Sequence, residues 1–172
     1  GNIAIKAATD INTDQQTLTA TSGAITLSTT TGSITSGTLS APTAVTGKIT
    51  LNAATGITTN GTINSGDALS ITNSGSVGNI YINNAINNDL SGSNSTPGLR
   101  SVSINSGHDL TLGLASVFGN GAINLIAANN FVSDFKNSNG GGVTIQTPGN
   151  VVIQAGGSIS PVNYQSYGNN SF

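Results

Sequence analysis

One small phrase recurs along this chain: a glycine or other turn residue, then two branched apolar residues separated by a single outward-facing one. It stands at Ile3-Ala4-Ile5, Ile25-Thr26-Leu27, Ile49-Thr50-Leu51, Leu69-Ser70-Ile71, Ile80-Tyr81-Ile82, Val102-Ser103-Ile104, Ile123-Asn124-Leu125 and Val143-Thr144-Ile145. Successive copies begin 22, 24, 20, 11, 22, 21 and 20 residues apart, by subtraction of those positions. A two-residue alternation describes a strand with one buried face, because successive side chains of a strand point to opposite sides. Its return at a longer period describes a strand met once per turn of a coil.

Each phrase is followed about eight residues later by a second apolar position behind a turn residue. Examples are Asp10-Ile11, Gly32-Ser33-Ile34, Gly56-Ile57, Gly75-Ser76-Val77, Asp109-Leu110, Asn130-Phe131 and Asn150-Val151. A third often follows, as in Gly37-Thr38-Leu39, Gly61-Thr62-Ile63 and Gly157-Ser158-Ile159. No single coil can bury its apolar face alone, so coils must stack to close a core and to satisfy the backbone hydrogen bonds. The fold expected is all-β: a right-handed parallel β-helix (β-solenoid) of about seven to eight coils with two to three short strands each. At the usual strand spacing that is a rod roughly 35–40 Å long. Glycine and asparagine at the corners supply φ > 0 in this reading, and stacked asparagines form ladders along the rod.

Composition decides between this fold and disorder. Hydrophobic residues are only 35% of the 172, charged residues 6%, and Gly, Ser, Thr and Asn make up about half the chain. Disordered chains usually carry high charge and few β-branched residues, whereas here Ile and Val recur at regular spacing. The net charge of −2 and four scattered cations, Lys6, Lys48, Arg100 and Lys136, speak against nucleic acid, which requires clustered Lys and Arg. No apolar run approaches the roughly 18 residues of a membrane span, so direct membrane insertion is not expected. There is no cysteine to build a disulfide framework. Gly1-Asn2-Ile3-Ala4-Ile5 is already in the repeat, so the chain reads as an excised piece of a longer protein.

Two segments leave the rhythm. Residues 87–99 (NNDLSGSNSTPGL) read as a loop extruded from one coil of a repeat domain spanning residues 1–160. Residues 161–172 read as a cap over the open end of the solenoid, or equally as a linker. Candidate partner contacts are Tyr81, placed between two inward residues and therefore facing out, Asn94 within the loop, and Arg100 just beyond it. Phe118, Phe131 and Phe135 are expected in core or corner packing.

Chemistry is harder to find. The acids are six Asp and no Glu: Asp10, Asp14, Asp67, Asp89, Asp109 and Asp134. Glycoside hydrolysis needs two carboxyls at a set separation. Coils could bring Asp67 to Asp89 or Asp109 to Asp134, yet most sit at turn positions, where Asp caps the backbone. Ser106-Gly107-His108-Asp109 invites a hydrolase reading. In an extended segment His108 and Asp109 would point to opposite faces, and His108 is expected as an exposed corner residue. As a metal site His108 is also poor, because no second His and no Cys is available. Gly140-Gly141-Gly142-Val143 lacks the acid of calcium-binding glycine repeats. Thr17 to Thr21 and Thr29 to Thr31 are threonine-rich, but no strict Thr-x-Thr ladder orders water for ice binding. No catalytic residue, metal ligand or cofactor site is assigned, and an enzyme is not expected.

Gly23-Ala24-Ile25-Thr26-Leu27, Gly47-Lys48-Ile49-Thr50-Leu51 and Gly121-Ala122-Ile123-Asn124-Leu125 resemble the repeats of filamentous haemagglutinin-like exoproteins. So do Gly32-Ser33-Ile34-Thr35 and Asn60-Gly61-Thr62-Ile63-Asn64, and the likeness covers roughly residues 1–160. These are large bacterial surface and secreted adhesins, typically exported by two-partner secretion, with right-handed parallel β-helical shafts. The resemblance implies a structural shaft at the cell surface or outside the cell. Its expected partners are host or neighbouring-cell glycans or proteins, or further copies of the same chain. The Asn-Pro-Asn-type signature of the secretion domain is absent, and Ser101 after Arg100 excludes an Arg-Gly-Asp contact. The alternative is a polysaccharide-binding or polysaccharide-cleaving parallel β-helix.

Overall fold

The computed structural model describes residues 1–88, 100–113, 115–133 and 143–160, together with the backbone of the strand Asn163–Ser166. Every described strand pairing is parallel, and no helix occurs among the described residues. The described strands fall into two sheets, one of seven strands and one of eleven.

The seven-stranded sheet is one ladder. It contains Ile3–Ala7, Ile25–Thr29, Ile49–Ala53, Leu69–Asn73, Val102–Ser106, Ile123–Ala127 and Val151–Ala155, each paired with the next. The partner register runs Ile3, Ile25, Ile49, Leu69, Val102, Ile123, Val151, at offsets of 22, 24, 20, 33, 21 and 28 residues by subtraction. The two longest offsets contain residues 89–99 and 134–142, which lie outside the described residues.

The larger sheet is two ladders fused at one end. Ile11–Thr19 and Ile34–Ala41 are long enough to run through both. Their front halves lead to Ile57–Thr59, Ile80–Ile82, Leu110–Leu112 and Phe131–Ser133, and a single bridge joins Phe131 to Ile159. Their rear halves lead to Ile63–Ser65, Ile86–Asn88, Val117–Gly119, Thr144–Thr147 and Asn163–Ser166. The chain visits first, second and third ladder in that order and returns to the first.

Inward side chains therefore stack in columns. Ile25, Ile49, Leu69, Val102 and Ile123 form one, and Leu27, Leu51, Ile71, Ile104 and Leu125 the next, all at most 1% exposed. Burying each such side chain contributes about 1.5–3 kcal/mol, and the columns run on into the other ladders through Ile34, Ile57, Ile80 and Leu110. At several strand ends the inward residue is polar, and it closes a corner carbonyl. Thr29 Oγ1 donates to Gly32 O, Ser65 Oγ to Asp67 O and Ser106 Oγ to Asp109 O, while the Asn73 amide bridges Thr55 O and Gly78 O. Such groups would otherwise carry the desolvation cost of an unpaired buried carbonyl.

Several expectations change in detail. The Ile80 phrase belongs to the second ladder and the Val143 phrase feeds the third, while Val151 continues the first. A two-residue alternation carries no mark of which ladder it enters. Val77, expected inward, is 82% exposed at a turn, and Ile80 takes the second-ladder position. The segment read as a loop from residue 87 begins as strand: Asn87 pairs in register with Asn64 and Phe118. Beyond residue 160, Asn163–Ser166 still adds to the third ladder. Phe131 is fully buried as expected, Phe118 is half-buried on an outward position, and Phe135 lies outside the described residues.

The corner glycines answer to crowding, not to φ. No described glycine has a left-handed φ; the positive values belong to Gln15 (60°) and Val45 (72°). A Cβ on Gly61 would run into the backbone of Gly37 and Thr38 in the preceding coil, and one on Gly78 into the Thr55 carbonyl. Stacking at strand spacing leaves no room there for a side chain.

Candidate functional site

Tyr81 faces outward at 39% exposure, between Thr58 and Thr111 of the neighbouring strands. Its hydroxyl accepts a hydrogen bond from Asn79 Nδ2 at 2.8 Å. Arg100 is half-buried, with its backbone carbonyl against Gly121. Asn94 lies outside the described residues, as do Asp89 and Asp134, so the proposed pairs Asp67/Asp89 and Asp109/Asp134 are described at one member only.

Two of the described acids, Asp10 and Asp109, are committed to the backbone and side chains of neighbouring coils. Asp10 Oδ1 accepts from the N–H and the hydroxyl of Ser33, 2.7 and 2.9 Å away and 23 residues along the chain. Those two bonds, the backbone one foremost, hold the Asp10 carboxyl below its ordinary range. Asp109 Oδ1 accepts from Asn130 N at 2.9 Å and from the side-chain amides of Asn129 and Asn130. Desolvation pushes this carboxyl up, but the Asn130 N–H, the His108 charge and the two amides together outweigh it and set it below the usual value. Asp67 is buried near Lys48, at 3.9 Å. The sequence reading had Asp capping its own turn; Asp10 and Asp109 instead tie one coil to the next.

His108 and Asp109, expected to point apart, lie within 3.4 Å through Nδ1 and Oδ2. The reason is local: residues 107–108 bend, so strand alternation does not apply. A triad still fails. The Ser106 hydroxyl is buried and donates to Asp109 O, and the His108 ring nitrogen sits 2.9 Å from Asn79 Oδ1. No cluster of three or more metal-ligating residues occurs among the described residues.

Both depressed carboxyls carry a pH prediction. Their folded pKa values lie below the unfolded value of roughly 3.9, so their stabilisation is complete above that value and is lost as pH falls through the folded one. The urea midpoint should stay flat from about pH 7 to 5 and drop below about pH 4. Asp109→Asn, which keeps an acceptor but no charge, should cost about 1 kcal/mol at pH 7 and flatten the acid limb. An unchanged acid limb in that variant would remove Asp109 from the account.

A concave site that the sequence reading missed lies at the corner between second and third ladders. Residues 14–17, 37–38, 60–62 and Asn84, drawn from successive coils, line a groove of about 290 Å³. It is opened by a bulge: between the paired positions Thr13↔Ser36 and Thr17↔Thr38 the first coil inserts three residues where the second has only Gly37. Gln15 takes its left-handed φ at the crest. The Asn12 side chain accepts from Asp14 N, and Asp14 Oδ1 from Gln15 N, which hold the bulge in shape. Along one wall runs an amide ladder of the kind expected: Asn83 Nδ2 donates to Asn60 Oδ1 at 2.9 Å, and Asn60 Nδ2 to Asp14 Oδ1 at 3.0 Å. A signal for the groove was present in spacing, since Ile11 to Leu18 is seven residues and Ile34 to Leu39 five.

No family model, curated protein or solved structure matches this chain.

Proposed function

We propose that this chain is a length of right-handed parallel β-helix, of about seven to eight coils, serving as the structural shaft of a bacterial secreted or surface adhesin or filament. The observation that carries the reading is the fixed visiting order of three parallel ladders, with inward aliphatic columns continuous from coil to coil. Parallel stacking gives a stiff body whose stability grows with each coil added, which is what display at a distance requires. The acids support a non-catalytic role, since Asp10 and Asp109 are spent on tying coils together. The resemblance to filamentous haemagglutinin-like repeats supports export, and glycans, proteins or further copies of the chain as partners.

An antibody raised against the chain should label intact source cells or their culture medium without permeabilisation. Labelling only after the cells are opened would overturn the exported-shaft reading. In parallel, the purified chain should release no new reducing or unsaturated ends from pectin or alginate; release would favour the polysaccharide-cleaving alternative.

A further inference from the structure

We propose that the corner groove over the Asp14–Gln16 bulge is a binding site for one or two rings of a neutral saccharide chain. Its volume of about 290 Å³ is at the lower end of small-molecule sites, which run from roughly 300 Å³ upward. Gly37 and Gly61 are bare because the stacked backbone excludes a Cβ, so a ligand at this corner meets main chain directly.

The chemistry of the walls selects the class. The Asn60 amide is spent between Asp14 and Asn83, and the Thr62 hydroxyl reaches Asn84 Oδ1 at 3.4 Å. The side chains of Gln15, Gln16, Thr17 and Thr38, and the second oxygen of Asp14, line the groove without a hydrogen bond to another of the described residues. These groups offer donors and acceptors side by side. A ligand that uses them must itself both donate and accept at closely spaced atoms, as the hydroxyls of a sugar do. An anion would meet the Asp14 carboxylate and no cation. A calcium ion would find one carboxylate where six to eight oxygen ligands are needed. An apolar ligand would find no aliphatic or aromatic side chain in the lining. With no ring to stack on, the affinity should be modest, with Kd on the order of 1 mM.

The test is a titration of the intact ¹⁵N-labelled chain with maltotriose, cellotriose and N,N′-diacetylchitobiose, and with trigalacturonate as the acidic control. At least one neutral probe should give saturable shifts in the side-chain amides of Gln15, Gln16 and Asn84 and in the backbone amides of Gly37 and Gly61. Trigalacturonate should bind at least tenfold more weakly. Thr38→Arg, which fills the groove from an outward position, should abolish the shifts while the rest of the spectrum holds. If that variant fails to fold, the double change of Gln16→Ala with Thr38→Val should weaken binding about tenfold. The assignment is overturned by no saturable shift from any neutral probe, by shifts that survive these substitutions, or by equal binding of trigalacturonate.

Discussion

Gly78→Ala is expected to lower the thermal midpoint by about 6–12 °C, an effect out of proportion to one methyl group. The added Cβ would be driven into the Thr55 carbonyl of the preceding coil. That carbonyl is also the acceptor of the Asn73 amide, whose other bond goes to Gly78 O, so relief of the clash pulls both bonds apart. Overpacking against backbone costs about 1–3 kcal/mol, and each strained hydrogen bond adds about 1. A total near 3 kcal/mol is a large part of the 5–15 kcal/mol by which domains are usually stable. Gly113→Ala is the control, because its nearest obstacle is the movable side-chain oxygen of Asn83 at 3.1 Å. It should shift the midpoint by no more than about 2 °C. Equal shifts in the two variants would show that conformational freedom, not coil-to-coil contact, is what the corner glycines supply.

The contrast between these two glycines marks where sequence reading stops. Alternation predicted the inward columns well: Ile25, Leu27, Ile49, Leu51, Ile71 and Ile104 are all fully buried. Alternation repeats every two residues and is blind to which neighbour a strand will meet. So Ile80-Tyr81-Ile82 looked like another first-ladder phrase, although its partners are Ile57 and Leu110. Val77 and Ile80 both follow a turn signal; the Asn73 clamp across Thr55 and Gly78 and the pairing of Ile80 with Ile57 and Leu110 leave Val77 outside. Inward polar residues at strand ends, such as Asn73, Asn88 and Ser106, carry no apolar mark for alternation to detect, and they close the corners. The groove was half legible. The longer spacing from Ile11 to Leu18 was there to be read, but the φ of Gln15 and the stacking of Gly61 on Gly37 are properties of adjacent coils. His108 and Asp109 show the same limit, since a bend brings together two side chains that strand geometry would separate.

Removing residues 57–79 should leave a folded protein, while removing only residues 57–68 should not. The longer deletion takes one strand from each ladder: Ile57–Thr59, Ile63–Ser65 and Leu69–Asn73. Its ends are equivalent positions, since Ile57 and Ile80 are register partners. Closure therefore offers Ile80 to Ile34, Ile86 to Leu39 and Val102 to Ile49, which are the partners of the residues removed. In a one-dimensional stack each coil contacts chiefly its neighbours, so the loss is one intrinsic coil and one interface, together with the Asn60–Asp14 bond that spans two coils. Circular dichroism should keep its β signature and unfolding its cooperativity, with a lower midpoint. The shorter deletion joins Gly56 to Leu69, so the chain leaving Ala53 meets a first-ladder strand where a second-ladder strand belongs. Every later strand is then one ladder out of phase, and five-residue strands fall where the second ladder has three-residue ones. That variant should lose the β spectrum and bind hydrophobic dye. Folding of both would mean that local strand propensity, without ladder identity, is enough to build the stack. Failure of both would mean that the coils are not interchangeable units, and the shaft reading would lose its physical basis.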